Sequence, residues 1–98
     1  MPGRTSEIGK RLHVLEARKL LSRVLREGSL AFSRHAQTEM EEDDLTEVDI
    51  VNTLRCGTVR EGELENGTWR YRVETDRTCA VVRFVSELEG VVVTAWRI

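Results

Sequence analysis

The hydrophobic period of this chain changes once, near Thr58, from helical spacing to alternation. Upstream, apolar residues recur three and four positions apart. Downstream, "TVREGEL", "TWRYRVET", "TCAVVRFV" and "VVVTAWRI" form four strand-like runs. A helix returns a side chain to the same face every 3.6 residues and a strand every second residue. A single switch of period therefore puts helices first and strands after, an α+β order rather than alternating βαβ units. Asn66-Gly67 lies between the first two runs and is the dipeptide best suited to a tight hairpin, so these strands should pair antiparallel. Asp76-Arg77 and residues 86–90 supply the later turns. The expected fold is α+β, with three N-terminal helices on one face of a four-stranded antiparallel meander. A chain of 98 residues suits one domain with one modest core, here 1–98 with 1–28 as a helical extension.

In "SEIGKRLHVLEARKLLSRVLREG", Ser6 is the expected N-cap, and Ile8, Leu12, Leu15, Leu21, Val24 and Leu25 form an apolar stripe ending at Gly28. Its polar side, with Arg11, Arg18, Arg23 and Arg26, is expected to be solvated, as is His13. Ser33 caps a second, shorter helix through 34–42, with Ala36 and Met40 facing the core as i, i+4 partners. The run Glu41-Glu42-Asp43-Asp44 stops it. Leu45, Thr46, Asp49 and Ile50 then form a hydrophobic staple and a carboxylate variant of the capping box. The third helix starts there, carries Val48, Ile50, Val51 and Leu54 inward, and ends at Gly57, expected to be left-handed.

Alternation assigns faces on the strands. Trp69, Tyr71 and Val73 should meet the helices, leaving Arg70, Arg72 and Glu74 outside; Ala80, Val82 and Phe84 should point in, leaving Val81, Arg83 and Val85 outside. Arg70, Arg72 and Arg83 thus share one surface. On the last strand either Val92, Thr94 and Trp96 face in and Arg97 out, or the reverse, since both sets are apolar enough to be buried.

The net charge of −2 conceals segregation. Residues 1–38 carry eight Lys/Arg against three Asp/Glu, residues 39–49 seven acids and no base, and the rest balances seven against seven. Without a basic excess the chain is not a general nucleic-acid binder, so a nucleic-acid role must be confined to one face. No apolar run is long enough for a membrane span and no secretory signal is visible, which predicts a soluble cytoplasmic protein. Cys56 and Cys79 lack metal-ligand spacing and read as small apolar fillers; no metal or other cofactor is expected.

The stretches "FSRHAQTEM", "LTEVDIVNTLRCGTV", "GTWRYRV" and "VVVTAW" together resemble the domain-of-unknown-function family numbered 4258 over about residues 30–96. The most specific elements are His35-Ala36 followed by Met40, and the helix ending "LRCGTV". That family is believed to be related to RelE-like and BrnT-like toxins of toxin-antitoxin modules. The resemblance implies a RelE-like fold, metal-independent RNA cleavage, and RNA or a cognate antitoxin as partner. The family pattern usually has arginine where this chain has Glu39, and again in the loop that here reads Asp43-Asp44.

In such a reaction the ribose 2′-hydroxyl attacks the adjacent phosphate. A proton carrier is needed, and histidine, with an ordinary pKa near ~6.5, suits it at neutral pH. His35 is the candidate, with Arg70, Arg72 and Arg83 to neutralise the phosphate and Tyr71 or Thr94 as possible hydrogen-bond donors if they face outward. The bland alternatives are that the His35 imidazole bonds a backbone carbonyl or an acidic neighbour and fixes the entry to its helix, and that Arg70 and Arg72 pair with Glu61, Glu63 or Glu74 across the sheet. Two non-catalytic functions remain open beside the nuclease: a small protein-interaction domain, and a nucleic-acid-binding module without cleavage.

Overall fold

A computed structural model describes residues 9–98. Its elements are α1 (Val14–Glu27), β1 (Ser29–Phe32), α2 (Arg34–Glu42), α3 (Glu47–Cys56), β2 (Thr58–Val59), β3 (Glu63–Glu65), β4 (Thr68–Glu74), β5 (Thr78–Ser86) and β6 (Glu89–Arg97). The α+β class holds, with three helices among the described residues, but the sheet has six strands rather than four. The order is β1-β6-β5-β4-β2, with β3 also on β4. The β4-β5-β6 meander is antiparallel as expected. Two local features account for the difference. "TVREGEL" breaks into β2 and β3, both antiparallel to β4. "SLAF" forms an edge strand parallel to β6, a pairing that local alternation cannot reveal because its partner is some 60 residues away.

The Asn66-Gly67 turn is as expected, with φ of 52° and 78° at the two positions, the pair of positive values a type I′ hairpin requires. Thr46 and Asp49 form the expected reciprocal cap on α3: Asp49 N donates to Thr46 Oγ1 at 3.2 Å and Thr46 N to Asp49 Oδ2 at 2.8 Å. Those contacts hold the Asp49 carboxyl below its ordinary pKa, the backbone bond from Thr46 contributing most. Gly57 departs from expectation, being extended at φ −77° rather than left-handed. A Cβ there would stand 2.6 Å from the Thr53 carbonyl oxygen and 2.9 Å from that of Glu74, so glycine is required for close approach of α3 to the sheet.

The expected Ser6 cap and Ile8 lie outside the described residues. The helix itself starts later than expected: residues 11–13 are not helical, and His13 caps α1, its Nδ1 accepting from Leu15 N at 3.2 Å while Glu16 accepts from His13 N at 3.1 Å. This is a capping box with imidazole in place of a hydroxyl. Leu21 and Val24 are buried as expected, with Ala17 on the same face, while Leu15, in the first turn after the cap, is exposed, contrary to expectation. On α3, Ile50, Thr53 and Leu54 are buried and Val48 is exposed. These helices cover the inner sheet face, where Tyr71, Val73, Ala80, Val82, Phe84, Val92 and Ala95 lie in one core cluster with Ala36, Met40 and Leu45.

Arg18, expected in solvent, instead closes the C-terminus of α3. Its guanidinium donates to the Leu54 carbonyl at 2.6 Å and to that of Gly57, satisfying carbonyls the helix cannot and placing a cation at the negative end of its dipole. The N-terminal lead-in is tied down by Tyr71, whose hydroxyl accepts from Leu12 N at 2.8 Å within the core. The cysteines divide. Cys79 is buried, and burial pushes its thiol up to about 11; Cys56 is exposed at the end of α3 and fills no core space.

Candidate functional site

The site arises where β6 loses its neighbour. The short β1 covers β6 only from Glu89 to Val92. Beyond that point α2 takes over the edge, through Ser33 N to the Val92 carbonyl at 2.9 Å, Ser33 Oγ to the Val93 carbonyl at 2.8 Å, and Arg97 N to Asp43 Oδ2 at 2.8 Å. Arg97 also donates from its guanidinium to the carbonyls of Asp43 at 3.1 Å and Asp44 at 3.0 Å. One helix therefore runs along the sheet edge and carries side chains to the rim of the outer face.

A bulge decides what that face contains. Val81 pairs with Thr94 but Val82 with Val92, so β6 has one extra residue at Val93. Neither facing proposed for the last strand is correct throughout. Val92 faces the core before the bulge and Ala95 after it, which turns Thr94 and Trp96 outward. Paired residues on adjacent strands share a face, so the rows Arg72-Val81-Thr94 and Glu74-Cys79-Trp96 lie on the outer face, together with Arg83 opposite Val91. The Arg72 guanidinium sits over the Trp96 ring, 5.5 Å from its centroid, a cation–π distance.

His35 stands at the rim with its side chain 69% exposed. Its Nε2 lies 3.3 Å from Glu39 Oε1, one helical turn along α2. The same Glu39 oxygen accepts a hydrogen bond from Thr94 Oγ1 on the outer face. A carboxylate thus links the imidazole to the sheet surface that holds Arg72 and Arg83. It faces Nε2 of an imidazole that is otherwise largely exposed.

The expected residues do not all assemble. Arg72 and Arg83 share the outer face and form no ion pair among the described residues. Arg70 is engaged elsewhere: its guanidinium pairs with Glu65 at 3.2 Å across the β3-β4 hairpin, and its Nε is enclosed without a partner. Tyr71 is 2% exposed with its hydroxyl in the core, and burial, its largest influence, raises its pKa. Thr94 does face outward, with its hydroxyl donating to Glu39. Glu74 pairs with Arg60 at 2.8 Å rather than with Arg70 or Arg72. The acidic neighbour expected for His35 in the bland reading is Glu39, at the legible i, i+4 spacing, and the facing of Trp96 stayed ambiguous because an inserted bulge residue has no signature in "VVVTAW". Neither of two concavities among the described residues is lined by His35: one lies against Cys56, Arg60 and Arg77 near the end of α3, and one is lined by Arg60, Glu61, Glu63, Arg72 and Glu74.

Among the described residues no group of three His, Cys, Asp or Glu side chains could hold a metal ion, and no helix is long and apolar enough to cross a membrane. Comparison with curated proteins and with solved structures gives no match. The family model described as "Domain of unknown function (DUF4258)" matches residues 32–97, from the last residue of β1 to the end of β6. With two thirds of its length matched, including every residue of the rim, the chain belongs to the DUF4258 family.

Proposed function

We propose that the rim formed by His35, Glu39 and Thr94 beside Arg72 and Arg83 is a metal-independent endoribonuclease site of the toxin-antitoxin type, carried on a RelE-like fold. The observation behind this reading is the shared Glu39 oxygen, which joins an exposed imidazole to the sheet face bearing Arg72 and Arg83. In the reaction His35 Nδ1 takes the proton of a ribose 2′-hydroxyl as its oxygen bonds to the adjacent phosphorus. The bond from phosphorus to the 5′-oxygen breaks, and that oxygen takes a proton from solvent. The products are a 2′,3′-cyclic phosphate and a free 5′-hydroxyl. Arg72 and Arg83 neutralise the charge that builds on the non-bridging oxygens, while Glu39 keeps the imidazole in one tautomer and orientation. Arg70, already held by Glu65, has no part in this scheme.

The test is purified protein incubated with total RNA in the presence of EDTA, wild type beside His35→Ala and Glu39→Gln. Wild type should degrade the RNA. His35→Ala should lose ~10²- to 10⁴-fold, the usual effect of removing a general acid or base. Glu39→Gln, which can still hydrogen-bond but carries no charge, should fall between them. No cleavage by wild type would refute the nuclease reading and leave the two non-catalytic readings.

A further inference from the structure

We propose that Trp96 and the Arg72 guanidinium lying over it form a stacking platform for one unstacked base of single-stranded RNA, which makes Trp96 a positioning residue for the cut. This rests on the nuclease reading for the meaning of "cut" but on its own observations for binding. Trp96 is the only aromatic side chain on the outer faces of β4, β5 and β6. It is half-buried there rather than in the core, because the Val93 bulge reverses its facing. Its cross-strand neighbour Cys79 is buried and the Arg72 guanidinium lies over its ring, so the plane this face presents is a guanidinium stacked on an indole.

Base chemistry favours a single strand. A duplex keeps its bases paired and stacked, whereas single-stranded RNA can splay one base out onto a flat aromatic or guanidinium plane. Arg72 and Arg83 supply complementary charge, and an arginine plane above an indole offers a second flat surface to a base.

The test is fluorescence anisotropy with a short fluorescein-labelled 2′-O-methyl oligoribonucleotide, which lacks the attacking hydroxyl and so reports binding without cleavage. Wild type should bind the single strand more tightly than the same sequence as a duplex. Trp96→Ala should weaken single-strand binding roughly 5- to 150-fold, the range for loss of one base–aromatic stack, with the salt dependence unchanged, while Trp96→Phe should restore most of the affinity. Arg83→Ala should instead flatten the plot of log affinity against log salt by about 0.7, one phosphate contact to a single strand. Circular dichroism checks that each variant is folded. Equal binding by wild type and Trp96→Ala, equal affinity for duplex and single strand, or no binding by wild type would overturn the platform. Tight binding lost with Trp96→Ala but no cleavage of ordinary RNA would uphold the platform and refute the nuclease reading.

Discussion

Replacing Tyr71 with phenylalanine removes one oxygen atom, and the consequence can be worked from the structure. The ring's packing survives, including its tilted contact with Phe84 at 5.6 Å between centroids. What is lost is the acceptor for Leu12 N, now 2.8 Å from the hydroxyl and buried. A buried donor without an acceptor costs ~1–3 kcal/mol, more than the bond's own net contribution. Leu12 belongs to the non-helical lead-in just before the His13 cap, a segment able to shift and regain water at modest cost. The lower part of the range applies, about 1–2 kcal/mol. For a domain near this size each kcal/mol moves the midpoint by ~4–8 °C, so Tyr71→Phe should lower Tm by about 4–16 °C. Thermal melts followed by circular dichroism measure it, and urea unfolding should show a lower midpoint with an unchanged slope. Faster amide exchange at Leu12 than at the core amides of β5 would locate the effect. A Tm within a degree or two of wild type would refute the argument that this bond fixes the N-terminal lead-in to the core.

Other predictions address stability and the cysteines. Arg18→Met keeps the aliphatic stem but leaves the C-terminal carbonyls of α3 without their cation; with charge-assisted bonds worth ~1.5–3 kcal/mol each and partial solvent access, the loss should be about 2–3 kcal/mol by urea unfolding, and Arg18→Lys should recover part of it. At neutral pH a thiol reagent should modify Cys56 rapidly and Cys79 only after unfolding, a difference measurable by mass spectrometry. Tyr71 and Cys79 both hold their protons more tightly when folded, so the stability each contributes is complete below its ordinary pKa and declines as pH rises through the folded value. For Cys79 that window runs from 9.0 to about 11, and Cys79→Ala should flatten the alkaline loss of stability there.

Local signals made much of the fold legible. The period change near Thr58, the Asn66-Gly67 turn and the Thr46–Asp49 cap each depend on neighbouring residues, and each appears in the structure. The features that were not legible depend on distant ones. "SLAF" becomes a strand only because β6 offers it a parallel edge, and its four residues carry no decisive pattern alone. The start of α1 is set at His13, a less common capping residue than the serine at Ser6. The same division applies to the rim. His35 and the facing of Arg72 followed from composition and alternation. The contact between Glu39 and Thr94 spans 55 positions and depends on the Val93 bulge, which sequence alternation does not encode. Arg70 was on the expected face, but its capture by Glu65 required the hairpin register to be known.

The central claim is that His35 serves as the proton carrier for RNA cleavage at this rim, and the chemistry of the product ends tests it most directly. A defined oligoribonucleotide incubated with the protein in EDTA and analysed by mass spectrometry should give fragments ending in 2′,3′-cyclic phosphate, with free 5′-hydroxyl partners. Their rate of formation should fall ~10²- to 10⁴-fold in a folded His35→Ala variant. Intact oligonucleotide with wild-type protein, cleavage abolished by EDTA, or the same products at the same rate from His35→Ala would contradict it.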